Sequence, residues 1–277
     1  MLKNIDKDNM EKYFNLIENL TGLSLSESNS REIENHIINR IKLLNMSFND
    51  YYYYLKNNQI ELQLLFNAST INETYFFREE KQFIILGNKI FPELYKNNRE
   101  IKILSATCST GEEAVSIALL LKKLYASDVT FKYTIYAADI NSQSIENFKK
   151  GEYSKNSFRK DGNSYKYLFD LYGSINNEIW KLDDKILNEI KIFNINILSN
   201  DLNLLPNDFD LILFRNTLIY MKKSYRDKII KLLENKLKTG GYLFIGISEV
   251  PFIKSENLKI EEESQIYYFM KSNKKNE

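Results

Sequence analysis

Three positions in this sequence carry polar groups directly after apolar runs, where a parallel sheet would present them to a ligand. Asp139 closes F-K-Y-T-I-Y-A-A-D, Asn196 lies near the end of I-K-I-F-N-I-N-I-L, and Arg215–Asn216 follow D-F-D-L-I-L-F. The carboxyl ends of buried parallel strands face the crevice in which α/β sheets bind ligands. An acid at the tip of a second strand can accept hydrogen bonds from the vicinal hydroxyls of a ribose. Asp139 could equally cap a helix that begins near Ser142. Arg78 is a fourth candidate, at the end of Y-F-F-R. Such a cluster suits core packing with a salt bridge, or a lid over a ligand with Arg78 as its charged member.

The element that must position these groups runs from Ile101 to Glu113, I-K-I-L-S-A-T-C-S-T-G-E-E. Ile101, Ile103 and Leu104 read as a buried strand. Small residues then lead through Gly111 into A-V-S-I-A-L-L-L-K-K-L, a helix. Small side chains let a ligand approach the backbone, and a new helix offers free N–H groups. The G-x-G-x-x-G fingerprint is absent, so a standard dinucleotide site is disfavoured.

Residues 4–66 read as helical, with a stop at Thr21–Gly22. Ile33, Ile37, Ile41 and Leu44 share one face of a helix whose other face carries Arg31, His36, Arg40 and Lys42. That second face is either solvated or a docking face for an acidic partner. A helix is expected from about Glu79 to Lys96, and another over 142–150 ending at Gly151. The region 152–192 is irregular, with a hairpin turning at Asn176–Asn177. A helix to Leu237 follows, then a turn at Thr239-Gly240-Gly241 and the strand Y-L-F-I-G-I-S-E. A loop around 249–264 leads to the last strand, Q-I-Y-Y-F-M-K. A mostly parallel α/β sheet with one antiparallel edge strand suits S-adenosyl-L-methionine (AdoMet) methyltransferases better than a fully parallel dinucleotide fold.

Composition narrows the options. With 277 residues and 43% hydrophobic content, the chain can build two domains or one large one. Lys+Arg of 38 against Asp+Glu of 37 gives no global pull toward nucleic acid or membrane. One cysteine rules out a disulfide framework and a Cys-rich zinc site, and one histidine, His36, rules out His-based metal clusters. No stretch is long and apolar enough for a membrane span, and the first ten residues lack a signal-peptide core. A soluble, cytoplasmic, monomeric protein without metal is expected. Cys108 is read as a small filler of the turn, and Trp180 as a packing residue.

Six motifs occur together: N-E-T-Y-F-F-R (72–78), S-A-T-C-S-T-G-E-E (105–113), A-A-D-I (137–140), N-I-L (196–198), F-D-L-I-L-F-R-N-T-L-I-Y (209–220) and G-G-Y-L-F-I-G-I-S-E (240–249). In these motifs, over about residues 10–270, the chain resembles the CheR-type chemotaxis receptor methyltransferases. The resemblance implies an all-helical N-terminal domain over 1–68 and a Rossmann-like AdoMet-binding domain over 69–277. It also implies a small β-subdomain inserted at about 152–190. The implied activity is methyl transfer from AdoMet to glutamate side chains on the cytoplasmic domains of chemotaxis receptors, leaving S-adenosyl-L-homocysteine. The implied cofactor residues are Asn72, Thr74, Arg78, Glu112, Asp139, Asn196, Ile197, Arg215 and Asn216. Tyr220 is placed with Arg78 beside the transferring methyl.

Two departures from the family pattern stand out. Ala114 replaces the usual proline after Glu113, with little consequence expected for the helix start. The 30–45 helix is less basic than its counterparts, which bears on receptor docking. The hairpin could bind a receptor tail by strand addition. The rival readings are an AdoMet-binding signalling module and a methyltransferase acting on another protein or a small-molecule carboxylate. Nucleic-acid methylation is disfavoured by the net charge of +1 and the lack of an N-P-P-Y type motif.

Overall fold

A computed structural model of the protein describes residues 7–25, 27–97, 100–128, 130–160 and 162–272. Four helices come first: α1 (Lys7–Thr21), α2 (Glu27–Leu44), α3 (Phe48–Asn57) and α4 (Gln59–Ser69). Local chemistry sets their ends. α1 stops where Gly22 takes φ +72°, a left-handed conformation that favours glycine. Ser47 caps α3 by accepting from the Asp50 N–H, and Asn58 caps α4 by accepting from the Ile60 and Glu61 N–H groups. Ile33 and Ile37 of α2 pack against Tyr13, Ile17, Tyr51, Leu55 and Leu65.

Arg40 does not belong to an outward basic face. Its Nε donates to Glu61 Oε2 at 3.0 Å, and its Nη2 bonds the other carboxylate oxygen. Tyr51 donates its hydroxyl to the same carboxylate at 3.1 Å. Glu61 is 4% exposed, and a charge buried that deeply has to be paired inside the protein. His36 is half-buried nearby, and burial followed by the Arg40 charge holds its pKa below the ordinary value. Helical periodicity locates the apolar face of α2 but does not reveal that one of its cations serves the interior.

The remaining elements build the sheet and its cover. α5 (Glu80–Ile85) runs through a π-helical turn (Leu86–Ile90) into α6 (Phe91–Asn97). β1 (Glu100–Ala106), α7 (Glu112–Tyr125), β2 (Lys132–Asp139) and α8 (Ser142–Lys150) follow. The insertion holds β3 (Glu152–Tyr153), α9 (Lys166–Leu171), β4 (Gly173–Asn176), β5 (Ile179–Leu182) and α10 (Asp184–Leu187). The chain continues with β6 (Ile190–Asn194), β7 (Phe209–Phe214), α11 (Lys223–Lys236), β8 (Leu237–Ile245), β9 (Leu258–Glu263) and β10 (Ile266–Lys271).

The main sheet has the order β6-β2-β1-β7-β8-β10-β9. Its first five strands are parallel, and β10 is antiparallel to both neighbours. Strand order reverses direction between β1 and β7, and a crevice opens at such a switch point. The reversed strand lies one in from the edge, because residues 249–264 contain β9 as well as a loop. L-K-I-E-E-E gives little apolar signal, since β9 is an edge strand whose charges discourage pairing with other chains. Thr239-Gly240-Gly241 forms a bulge inside β8 rather than a turn before it. The β7–β8 register moves from Phe209↔Leu237 to Leu211↔Tyr242 across it.

The insertion forms a three-stranded sheet, β3-β5-β4. Its hairpin turns on Asn177–Glu178, both left-handed at φ +49° and +64°, one residue past the expected position. Trp180 packs edge-on against Phe76 and Phe169, which seats the insertion on the aromatic segment before Arg78. Among the described residues, no helix is long and apolar enough to cross a membrane.

Burial alone would raise the Glu61 pKa, but the Arg40 hydrogen bond and charge, with the Tyr51 bond, outweigh it and lower the net value. A carboxylate lowered on folding adds stability above its unfolded pKa of about 4.3 and loses it as pH falls through the lowered folded value. Glu61→Ala is therefore expected to cost about 2 kcal/mol at neutral pH in urea unfolding. The difference from wild type should shrink on acidification below about pH 4.3.

Candidate active site

An open cleft lies at the carboxyl ends of the parallel strands. The turn after β1 forms its floor. Thr107, Ser109 and Gly111 are left-handed at φ +62°, +49° and +93°. The Cys108 N–H donates to the Ala138 carbonyl at 2.9 Å, pinning the turn to the end of β2. A Cβ at residue 111 would lie 2.2 Å from the Phe148 ring, so glycine is required there by both φ and space. Cys108 is buried, and burial followed by the nearby Asp139 and Glu113 charges raises its thiol pKa well above the ordinary value. It is an unreactive filler of the turn.

Asp139 accepts from the Ser109 N–H and the Asn141 N–H, each at 2.8 Å. The cap of α8 is Asn141, which accepts from the Ser144 N–H at 2.9 Å. Asp139 therefore clamps two loops while lining the cleft. Burial raises its pKa, against the N–H bonds that lower it. Two bonds leave lone pairs on the carboxylate for further donors.

Arg215 is buried in the wall and held on several sides. Its side chain is 2% exposed and meets Glu113 at 2.9 Å and Glu79 at 3.2 Å. Its Nη2 also donates to the Arg78 carbonyl, and its guanidinium lies 5.5 Å from the Phe83 ring centre. Asn216 is left-handed at φ +56° and donates its amide to Glu79 at 3.1 Å. Its backbone N–H donates to Glu249 at 2.8 Å. Glu249 is 0% exposed and also accepts from Gly246 N–H at 2.8 Å and Ile219 N–H at 3.2 Å. This one carboxylate joins the loops after β7 and β8, and burial raises its pKa.

Tyr220 ends a short 3₁₀ turn (Leu218–Tyr220) on the same loop. Its carbonyl accepts from Ser24 N–H at 2.7 Å, and Lys222 N–H donates to the Gly22 carbonyl at 3.0 Å. The α1–α2 connection thereby becomes part of the wall, with Thr21, Leu23 and Ser24 lining the cleft. The Asn196 amide donates to the Leu20 carbonyl at 2.7 Å and its oxygen accepts from Leu198 N–H at 3.0 Å. Arg78 is half-buried and donates to the Glu73 carbonyl at 2.8 Å. Among the described residues it forms no ion pair.

The cleft brings together Asn72, Thr74, Arg78, Asp139, Asn196, Ile197, Arg215, Asn216 and Tyr220. Glu112 is not among its lining residues. Its carboxylate turns behind the floor, accepting from Thr110 Oγ1 at 2.6 Å and Ser157 Oγ at 2.7 Å. Glu113 occupies the wall instead. Sequence reading also missed Glu79, Glu249 and the contribution of Ser24. Glu79 directly follows the first quoted motif and Glu249 closes the last one without a role being given to it, but nothing in the sequence marks residues 21–24 as cleft-lining.

The donor set suits AdoMet. An acid stands at the tip of β2, and Ile140, Ile195 and Ile197 offer an apolar wall for a flat heterocycle. Arg215 Nε is buried without a partner among the described residues. The all-alpha domain of CheR methyltransferases matches residues 8–70, and the CheR methyltransferase SAM-binding domain matches residues 72–268. The chain belongs to the CheR methyltransferase family. It is 31% identical to a chemotaxis protein methyltransferase of Borreliella burgdorferi, over 89% of each chain. It is 31% identical to chemotaxis protein methyltransferase 2 of Pseudomonas aeruginosa, over 83% of this chain and 82% of the other. Identity to the chemotaxis protein methyltransferase of Salmonella typhimurium is 29%, over 84% and 81%. This CheR-family protein is thus an AdoMet-dependent methyltransferase with an all-helical N-terminal part and a Rossmann-like catalytic part.

Gly111→Ala is expected to destabilise the fold by about 3 kcal/mol, since it combines left-handed strain with overpacking against Phe148. Urea unfolding measures the loss. Calorimetry on the folded fraction should show weaker AdoMet binding.

Proposed function

We propose that this CheR-family enzyme methylates glutamate side chains on the cytoplasmic domains of chemotaxis receptors, forming glutamate methyl esters. The observation that carries this reading is the charge state of the cleft wall. Arg215 is matched by two carboxylates, whereas Arg78 is matched by none among the described residues. A half-buried guanidinium without a counter-charge suits an incoming carboxylate, which it can hold with charge-assisted hydrogen bonds. The names of the relatives supply the chemotaxis setting.

AdoMet supplies an electrophilic methyl group on a cationic sulfur. The chain's residues have to hold the two reactants in line and exclude water. A glutamate of pKa about 4.3 is already ionised at neutral pH, so no general base is needed. The only histidine, His36, lies on α2 and does not line the cleft. Arg78 orients the acceptor carboxylate. The Tyr220 hydroxyl accepts or donates no hydrogen bond among the described residues and serves to position the reacting oxygen. Asp139 takes the ribose hydroxyls, and Arg215–Asn216 hold the amino-acid end of the donor. Asn72, Thr74, Asn196 and Ile197 complete the wall. The reaction joins an anion to a cation and leaves a neutral ester and a neutral thioether, so exclusion of water favours it.

The free edge of the inserted sheet supports a polypeptide acceptor. β4 is an outer strand with Ser174, Ile175 and Asn176 exposed, a surface to which an extended tail could add.

Incubation with AdoMet and purified receptor signalling domains, followed by mass spectrometry, should reveal methyl esters on glutamates. Absence of esters on every receptor domain of the host would overturn the reading. Arg78→Ala should lower kcat/KM for the receptor fragment by about 10–100-fold, the worth of one charge-assisted bond. Tyr220→Phe should lower kcat by about tenfold with donor affinity retained. Asp139→Ala should weaken AdoMet binding at least about tenfold in calorimetry, through loss of hydrogen bonds to a charged acceptor.

A further inference from the structure

We infer that Glu79 is a positioning residue for methyl transfer: it locks the backbone that aims Arg78. Arg78 sits between two left-handed residues, Phe77 at φ +52° and Glu79 at φ +60°. Non-glycine residues adopt that region rarely, and a pair of them persists only where the surroundings over-determine the backbone. Phe77 is held from one side. Its N–H donates to Ser116 Oγ at 2.9 Å, and its ring stacks on Tyr165 with centres 4.3 Å apart.

Glu79 holds the other side. Its Oε2 accepts from Arg215 Nη2 at 3.2 Å and its Oε1 from the Asn216 amide at 3.1 Å. The Ile247 N–H lies 3.4 Å from both oxygens. The same Arg215 nitrogen also donates to the Arg78 carbonyl. Residues 78 and 79 are thus pinned by main chain and side chain to the loops after β7 and β8. α5 begins at Glu80, so no slack remains downstream. An arginine side chain has many rotamers, and a fixed Cα narrows where its guanidinium can go.

Arg215 keeps Glu113 when Glu79 is changed. Loss of the Glu79 charge should therefore loosen Arg78 more than it loosens the donor site. The inference rests on Arg78 facing the acceptor carboxylate, and two measurements separate the two ideas.

The first is a double-mutant cycle of methyl transfer to receptor signalling domains, with Glu79→Gln, Arg78→Ala and both. Glu79→Gln should lower kcat about tenfold while AdoMet affinity by calorimetry changes less than about fivefold. In the Arg78→Ala background, Glu79→Gln should cost less than about twofold, because nothing is left to aim. Additive losses would overturn the inference, as would unchanged kcat. A joint fall of kcat, donor affinity and thermal midpoint would do the same, since it marks general destabilisation. Wild-type enzyme inactive on receptors would sink the acceptor reading alone.

The second measurement needs no acceptor. Hydrogen–deuterium exchange of peptides covering residues 72–80 should accelerate in Glu79→Gln, while the β1 and β2 peptides keep wild-type rates. Unchanged exchange over 72–80 overturns the positioning role whatever the acceptor is.

Discussion

A buried guanidinium has to find its counter-charges inside the protein, and Arg215 governs the cleft for that reason. It is carried at the end of β7, the strand next to the switch point. Its two carboxylates come from elsewhere: Glu113 from the first turn of α7 and Glu79 from the residue before α5. Three segments distant in sequence are drawn together by one desolvated charge. Two acids against one base leave one negative charge over, and the Asn216 amide solvates the Glu79 carboxylate with a hydrogen bond. Charged groups of this kind are costly to strand, and with two carboxylates Arg215 is not stranded by the loss of one.

The framework around this network was legible in the residues. A buried run, small residues with one glycine, and a helix marked β1 and α7. Polar groups after buried runs placed Asp139, Asn196 and Arg215–Asn216 at one rim. Both signals are strong because interior parallel strands read as unbroken apolar stretches and polar residues interrupt them abruptly. The insertion was legible as an irregular stretch with one hairpin, although the turn sits one residue later.

What stayed hidden depends on contacts between distant elements. β9 is charged and exposed, so its burial pattern offers no periodicity to read. Arg40 lies at a plausible surface position of α2, and only the burial of Glu61 on α4 turns it inward. Glu112 and Glu113 are adjacent acids at the start of α7, roughly 100° apart around the helix. One therefore faces Ser157 and the other Arg215. The motif names both acids and does not say which faces the cleft. Nothing local could assign residues 21–24 to the wall, because their role comes from backbone bonds to residues nearly two hundred positions away.

That last contact has a consequence for how such proteins can be recombined. Gly22 fits between Met221, Tyr225 and Leu198 with no room for a side chain, and its carbonyl is bonded to the Lys222 N–H. The end of α1 and the segment after β7 are thus mating surfaces cut to one another. A chimaera that takes its leading helices from one relative and its sheet from another inherits half of a fitted joint. A graft of the leading helices has to carry residues 220–225 along with them.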